Sequence, residues 1–284
     1  MNAQKKVIVG IGEILWDMLP TGKALGGAPA NFAYHAKRLG EDGWAVSAIG
    51  NDALGREIME IVMEKGLRNL ISVTSRPTGT VQVSLDAKGV PSYTIMEDVA
   101  WDNIPFTPQM AALASRADAV CFGSLVQRGN SRDSVLRFLR AMRPEALRVF
   151  DINLRQHYYS KEVIDESLQL SDILKINDEE IRIVAELFGL GGDDTAACRA
   201  LIERYGLKLV ILTRGADGSE VITADEAIPQ AVGQVEVVDT VGAGDSFTAA
   251  FVVAYLRGDS LADAQRLANE TAAYVCSCKG AMPI

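Results

Sequence analysis

The run VVDTVGAGDSFTAAFVVAYLRG, residues 237–258, brings small residues and a carboxylate to one junction. VEVVD (235–239) reads as a strand and FTAAFVVAYLRG as a helix, so Thr240 to Gly244 form the turn between them. Backbone N–H groups of Gly242, Ala243 and Gly244 then point outward from a helix start, where the dipole is positive, and make an anion cradle. Small residues there let a phosphate come close to the backbone. Asp245 beside such a cradle fits a base that takes the proton of a hydroxyl attacking the anion. It fits equally well an acceptor for helix N-terminal donors.

A second constellation is GGAPANFA, 26–33. Gly26 and Gly27 end a loop, and Asn31 falls on the first turn of the next helix. Its amide either caps that helix or donates and accepts to adjacent hydroxyls of a polyol. Asp17, in GEILWD, stands among apolar residues, and a carboxylate accepts two hydroxyl protons well. Other motifs are excluded. VGIGEIL offers Gly10 and Gly12 but has Leu15 where the dinucleotide fingerprint needs a third glycine, and no GK[ST], HRD, DFG, G-x-S-x-G or H-E-x-x-H occurs. With only His35 and His157, histidine-rich metal sites are excluded, and the C-x-C pair Cys276 and Cys278 reads as two thiols on a buried helix.

These residues need a scaffold, and the chain alternates apolar β-type runs with helical patterns almost throughout. VIVGI (7–11), WAVSAIG (44–50), ADAVCFG (117–123), LRVFDIN (147–153), DILKIN (172–177) and LKLVILT (207–213) are short, uninterrupted and separated by helices. That pattern predicts a mostly parallel sheet covered on both faces, closed by helices at 243–257 and 261–277. Gly40, Gly66 and Gly258 stand where helices should stop. Residues 76–105 alternate with period two around a turn at Ala87-Lys88-Gly89, which predicts an antiparallel flap outside the parallel core. The stretch 13–25 can lend it strands. Such a flap would lie above the ligand crevice at the strand ends.

Composition narrows the function class. The 284 residues carry 28 Lys and Arg against 37 Asp and Glu, a formal net charge of -9 without a basic block, so neither nucleic acid nor an anionic membrane is an expected partner. No apolar run approaches a membrane span or a signal peptide, and four cysteines in apolar contexts fit a reduced, cytoplasmic protein.

GG-x-x-x-N at 26–31 and D-T-x-G-A-G-D-S-F at 239–247 resemble the two signatures of the PfkB (ribokinase-like) carbohydrate kinases, in the expected order and separation. GEILWD, PTGTVQVSLD, AWDNIP and DINLR are most similar to the fructokinase branch. The resemblance implies one ribokinase-like three-layer α/β domain over 1–284, with the flap as a discontinuous β-lid, about 13–25 and 76–105. It implies ATP-dependent phosphorylation of a sugar, with Asp245 as base and the 242–244 amides as anion hole. Asp17, Gly26, Gly27 and Asn31 would hold the sugar, and Arg155 would reach the sugar or the transferred group. Asn177 and Glu180 match an N-x-x-E element that organises Mg²⁺ and phosphates, Glu180 through water, although the same spacing is a capping box. Thr213, Gly215 and Asn269 match nucleotide-binding positions, and Asp239 matches a loop that binds K⁺ in part of the family.

Fructose is the first substrate implied. A 2-keto-3-deoxy sugar acid, whose carboxylate Arg155 can pair, and ribose are the alternatives. A sugar-sensing protein without catalysis is the reading from another class, against which the intact Gly242, Gly244 and Asp245 argue. By analogy with lids that pair, a homodimer through the lid edge is expected.

Overall fold

The structure is a computed structural model that describes residues 4–19, 22–85, 91–233 and 235–283. In chain order the first elements are β1 (Val7–Ile11), β2 (Leu15–Leu19), β3 (Gly22–Gly26), α1 (Ala28–Arg38), β4 (Asp42–Gly50), α2 (Ala53–Glu64), β5 (Arg68–Thr74), β6 (Gly79–Leu85) and β7 (Pro91–Ile95). There follow α3 (Pro108–Ala114), β8 (Ala119–Phe122), α4 (Ser131–Ala141), β9 (Leu147–Asp151), α5 (Lys161–Gln169), β10 (Ile173–Asn177), α6 (Asp178–Phe188) and α7 (Asp194–Tyr205). The last are β11 (Leu209–Thr213), β12 (Ser219–Ile222), β13 (Ala227–Gln230), α8 (Ala243–Arg257) and α9 (Leu261–Cys276).

Among the described residues the main sheet has nine strands in the order β13-β12-β11-β10-β9-β8-β1-β4-β5. All neighbours from β11 to β5 pair in parallel, and only β12 and β13 run antiparallel at one edge. The apolar runs are uninterrupted because both faces are covered. Along β1, β8, β9, β10 and β11, residues such as Ile8, Ala119, Val149, Ile173 and Ile211 pack with Phe32 of α1 and Phe251 of α8. Their neighbours Val9, Val120, Phe150, Leu174 and Leu212 face the other way, against Met110, Phe138, Ile164, Ile181 and Leu201 of α3 to α7. The period-two geometry of a strand thus divides one apolar run between two cores.

The chain order reverses across β1, whose neighbours are β4 and β8, and ligands of such sheets bind beyond the strand C-termini at that point. A second sheet, β3-β2-β6-β7, is built from the predicted segments, with β2 and β6 parallel and the outer pairs antiparallel. The turn at Ala87-Lys88-Gly89 lies outside the described residues. The antiparallel pattern stops at Ile95, short of 105. Val99, Ala100, Trp101 and Ile104 are apolar anchors that pull the following segment back under the sheets, where all four are buried. Trp101 packs so closely on β6 that a Cβ at Gly79 would stand 2.3 Å from its Nε1.

The segment 235–239 is not a strand. Its side chains Glu236, Val237 and Val238 are exposed, and its amides at 238 and 239 bond the carbonyl of Cys276 rather than a neighbouring strand. Cys276 and Cys278 are half-buried at and just beyond the end of α9, not inside a buried helix. Residues 281–283 return to α1 and the end of α2: Tyr34 Oη donates to the Pro283 carbonyl, His35 Nε2 lies 2.8 Å from the Ala281 carbonyl, and Lys65 Nζ donates to that of Met282.

A buried ion pair fixes the root of the small sheet. Arg128 meets Asp102 with two parallel bonds of 2.8 and 2.9 Å, both side chains 7% exposed, and its guanidinium stacks 4.2 Å from the Trp101 ring. Removing one partner strands the other charge in a dry site. Asp102→Asn should therefore cost about 3–5 kcal/mol, read as a lower midpoint in urea unfolding.

Candidate active site

Short loops after the C-terminal ends of β1, β9, β10 and β11, together with the small sheet and the start of α8, surround a cleft of about 1140 Å³. At its floor the two sequence motifs meet. Asn31 Nδ2 donates to Asp245 Oδ2 at 2.8 Å, across 214 residues of chain. This contact bears on the capping reading of each residue. No side chain caps α1 or α8, so Asn31 and Asp245 bind each other rather than their own helix ends.

Gly242 caps α8 with φ +80°, a conformation open to glycine, and a Cβ there would lie 2.7 Å from that of Ala281. The requirement at 242 is thus backbone geometry and the 281–283 segment, not only ligand access. The cradle also differs from the expected set of amides. Ala243 N–H bonds the Thr240 carbonyl, which leaves the amides of Gly242, Gly244 and Asp245 without acceptors among the described residues.

Two further charged residues sit beneath the cradle. Positions 147, 149 and 151 of β9 and 173 and 175 of β10 share the face toward α8, so Asp151 and Lys175 both point there. Their ion pair is 3.2 Å long and about 10% exposed, and Thr248 Oγ1 lies 3.0 Å from Asp151 Oδ2. Lys175 Nζ would be 3.4 Å from a Cβ at Gly244, near the start of α8. Burial works against its charge, but Asp151, Glu180 and Asp245 outweigh that and raise its pKa, so it stays cationic. Asp245 is pushed up to about 6, mainly by burial, while the Asn31 bond, Lys175 and Arg155 pull the other way and Asp151 adds to the rise.

At the small-sheet end, Asp17, Gly26, Gly27 and Arg155 line the cleft beside apolar Leu15, Val81, Ile95 and Leu125. The Asp17 carboxylate occupies the space that a Cβ on Gly26 would take, 2.6 Å away. Burial raises its pKa, and exposed Arg155 opposes the rise. Gly27 holds φ +118° with its Cβ direction against the Glu13 carbonyl, at 2.3 Å. Glu13 itself, 4% exposed, lines the same floor.

At the opposite end the lining includes Asn177, Thr213, Gly215 and Asn269. Asn269 Nδ2 donates to Gln230 and its Oδ1 accepts from Ser219. Glu180 is not at the surface of the cleft. Its two oxygens accept from the amides of Leu154 and Asn177 at 2.8 and 2.9 Å, and Asn177 Oδ1 returns the favour to the Glu180 amide, a complete capping box. Asp178 and Glu179 are the carboxylates that line this end. Asp239 likewise spends its oxygens on the amides of Val241 and Gly280, tying the cradle loop to the segment after α9. Among the described residues, no three His, Cys, Asp or Glu side chains gather as a metal cluster.

Residues 20–284 match the pfkB family of carbohydrate kinases. The chain belongs to this family. A protein of Pyrococcus horikoshii described as a putative sugar kinase is 30% identical over 303 residues, 99% of this chain and 93% of that protein. Its crystal structure, described as that of an uncharacterized sugar kinase, superposes with a TM-score of 0.83 over 98% of this chain and 94% of that one. The family resemblance extends to a fructokinase of Escherichia coli, 28% identical over 292 residues (96% and 94% of the two chains). It extends equally to an aminoimidazole riboside kinase of Salmonella typhimurium, 29% identical over 301 residues (99% and 92%). The chain is therefore a sugar kinase of ribokinase-like α/β fold.

Sequence reasoning did not single out Glu13, Asp151 or Lys175. A signal was there: each is a single charge between apolar neighbours, in VGIGEIL, VFDI and ILKI. A charge at such a position is tolerated only when paired or functional.

Proposed function

We propose that this kinase is a fructokinase, with the sugar at the Asp17 end of the cleft, ATP at the Thr213–Asn269 end, and Asp245 as the base between them. The observation that carries the reading is the Asn31–Asp245 hydrogen bond, because it joins the polyol-binding motif to the carboxylate of the anion cradle. The fructokinase relatives and the ATP complex of the Pyrococcus horikoshii kinase support the two ligands.

Phosphoryl transfer passes through a loose transition state, so the protein's contribution is positioning and charge stabilisation. Asp17 and Asn31 orient the sugar, and Asp245 accepts the proton of the attacking hydroxyl. The free amides of Gly242 and Gly244, backed by the Lys175 cation, stabilise negative charge as it builds on the phosphoryl oxygens. Mg²⁺ suits a site without a carboxylate cluster, since it keeps several waters and is held largely by phosphates. Asp178 and Glu179 at the cleft would hold its water shell, with Glu180 fixing the helix start behind them, and the ion would supply charge neutralisation.

The deciding experiment follows ADP release with Mg-ATP over fructose, glucose, ribose, 2-keto-3-deoxygluconate and adenosine. Turnover dependent on fructose is expected; turnover on another sugar would keep the mechanism and replace the substrate. Binding of a sugar with no turnover on any of them would favour a sugar sensor. Asp17→Asn should raise the fructose KM roughly 10–100-fold, the loss of a charged hydrogen bond worth about 1.5–3 kcal/mol, with kcat little changed. An unchanged KM would remove Asp17 from the sugar site.

A further inference from the structure

A small chamber of about 10 Å³, the room of one water molecule, adjoins the main cleft. Its polar lining is Glu13, Asp151, Asn153 and Asp245, and its apolar wall includes Ala28, Phe32, Cys121 and Phe122. Among the described residues, two buried carboxylate oxygens of this lining make no hydrogen bond, Glu13 Oε2 and Asp151 Oδ1, although the latter lies within ion-pair reach of Lys175. Glu13 is 4% exposed, so its free oxygen has no bulk solvent to turn to. Buried polar groups without partners are uncommon in folded proteins and point to a water or a function. The mechanism set out above uses Glu13 for nothing.

We infer that Glu13 is the second carboxyl of the proton-transfer machinery, joined to Asp245 through one water in this chamber. The step rests on Asp245 being the base of the proposed kinase reaction. The sugar O–H bond breaks and its proton goes to Asp245. Asp245 passes a proton to the water, which releases another to Glu13 Oε2. Asp245 is again a carboxylate, the water is restored, and Glu13 is a neutral carboxylic acid that returns its proton through the cleft it also lines. Glu13 would thus act as a positioning and relay residue without touching the sugar.

Burial and the charges around the pair raise both carboxyls. Burial dominates at Glu13 and raises its carboxyl to about 7, with its own backbone amide, Arg155 and Arg128 opposing the rise and Asp245 adding to it. Asp245, with Asn31, Lys175 and Arg155 nearby, stands lower at about 6. Both carboxyls are thus raised toward neutrality, and the pair can share a proton through the water. Asp151 is engaged by Lys175 and Thr248, and burial pushes the Cys121 thiol well above its usual range.

The test is Glu13→Gln, with Glu13→Asp beside it to separate loss of the carboxyl from loss of packing. In Glu13→Gln kcat should fall about tenfold, less than the 10²–10⁴ carried by a direct base. The acid limb of its kcat profile should lose its upper step near 7 and keep the one near 6. Glu13→Asp should recover part of the rate, and the sugar KM should stay within about twofold of wild type. Infrared difference spectra of the ligand-free wild type should show a carboxylic-acid band that fades as pH passes about 7 and is missing in Glu13→Gln. In Asp245→Asn the fading should shift to lower pH, because the charge that raises Glu13 is gone. An unchanged rate and acid limb in Glu13→Gln would overturn the inference, as would a band indifferent to Asp245. A wild type inactive on every sugar would instead defeat the kinase reading, and the infrared coupling would still report on the pair.

Discussion

Asp245→Asn should turn over its sugar at least 10²–10⁴-fold more slowly than wild type while binding ATP with similar affinity. The amide keeps the side-chain shape and can still meet Asn31, but it cannot accept the hydroxyl proton. The wild-type dependence on pH follows from the same group. As the proposed base Asp245 would work as its carboxylate, which is pushed up to about 6, so kcat/KM should rise with pH through about 6 and be lost below it. Stability runs in the opposite sense. Because the folded carboxyl holds its proton more tightly than an unfolded aspartate, it favours the fold at low pH, and that contribution is lost as pH rises from the usual aspartate range through about 6. Asp245→Asn should therefore have the higher Tm of the two above pH 6, by calorimetry. A slower enzyme of unchanged or lower Tm at that pH would count against the burial argument; near-normal turnover would remove Asp245 as the base.

Gly10→Ala should be damaging for a reason unconnected with nucleotides. A Cβ at this position of β1 would lie 1.9 Å from the carbonyl oxygen of Pro29, in the first turn of α1. That oxygen belongs to backbone and cannot swing aside, so α1 must move off the sheet and carry Asn31 with it. Overpacking against backbone should cost about 3 kcal/mol or more, roughly a 6–12 °C fall in Tm for a domain near this size. Turnover should fall with it, since the Asn31–Asp245 bond depends on where α1 sits. Retained Tm and activity would show that α1 slides without cost. The glycines of VGIG are thus packing residues, which is why they carry an incomplete dinucleotide signature.

Much of this architecture was legible because parallel strands buried on both faces leave an unmistakable trace. VIVGI, DILKIN and LKLVILT have no alternation to confuse with an exposed strand, and the glycines at 40, 66 and 258 punctuate the helices. The misses have physical causes. β5 is a half-buried edge strand, RNLISVT, whose polar residues hide it, and α7 is only weakly amphipathic. In 235–239 the apolar residues signify a cleft wall rather than a strand, a distinction that depends on what lies opposite. The turn that starts α8 and the place of Asp245 in its first turn were readable from local spacing. The pairing of Asn31 with Asp245, the burial of Glu13 and the Asp151–Lys175 pair were not, because each depends on strands or helices far apart in sequence.

The placement of α8 has a bearing on how the chain is made. The main sheet is complete at Gln230, whereas residues 246–254 of α8 are buried on every side, between α1, α9 and the face carrying Ile8, Val149 and Ile211. A nascent chain that has reached β13 must therefore wait with a greasy sheet face uncovered, a surface on which chaperones or other unfinished chains can settle. The helix that covers this face also delivers Asp245. The emerging polypeptide lacks Asp245, the proposed base, until this adhesive surface is sealed, so that assembly step and the proposed chemical competence arrive together.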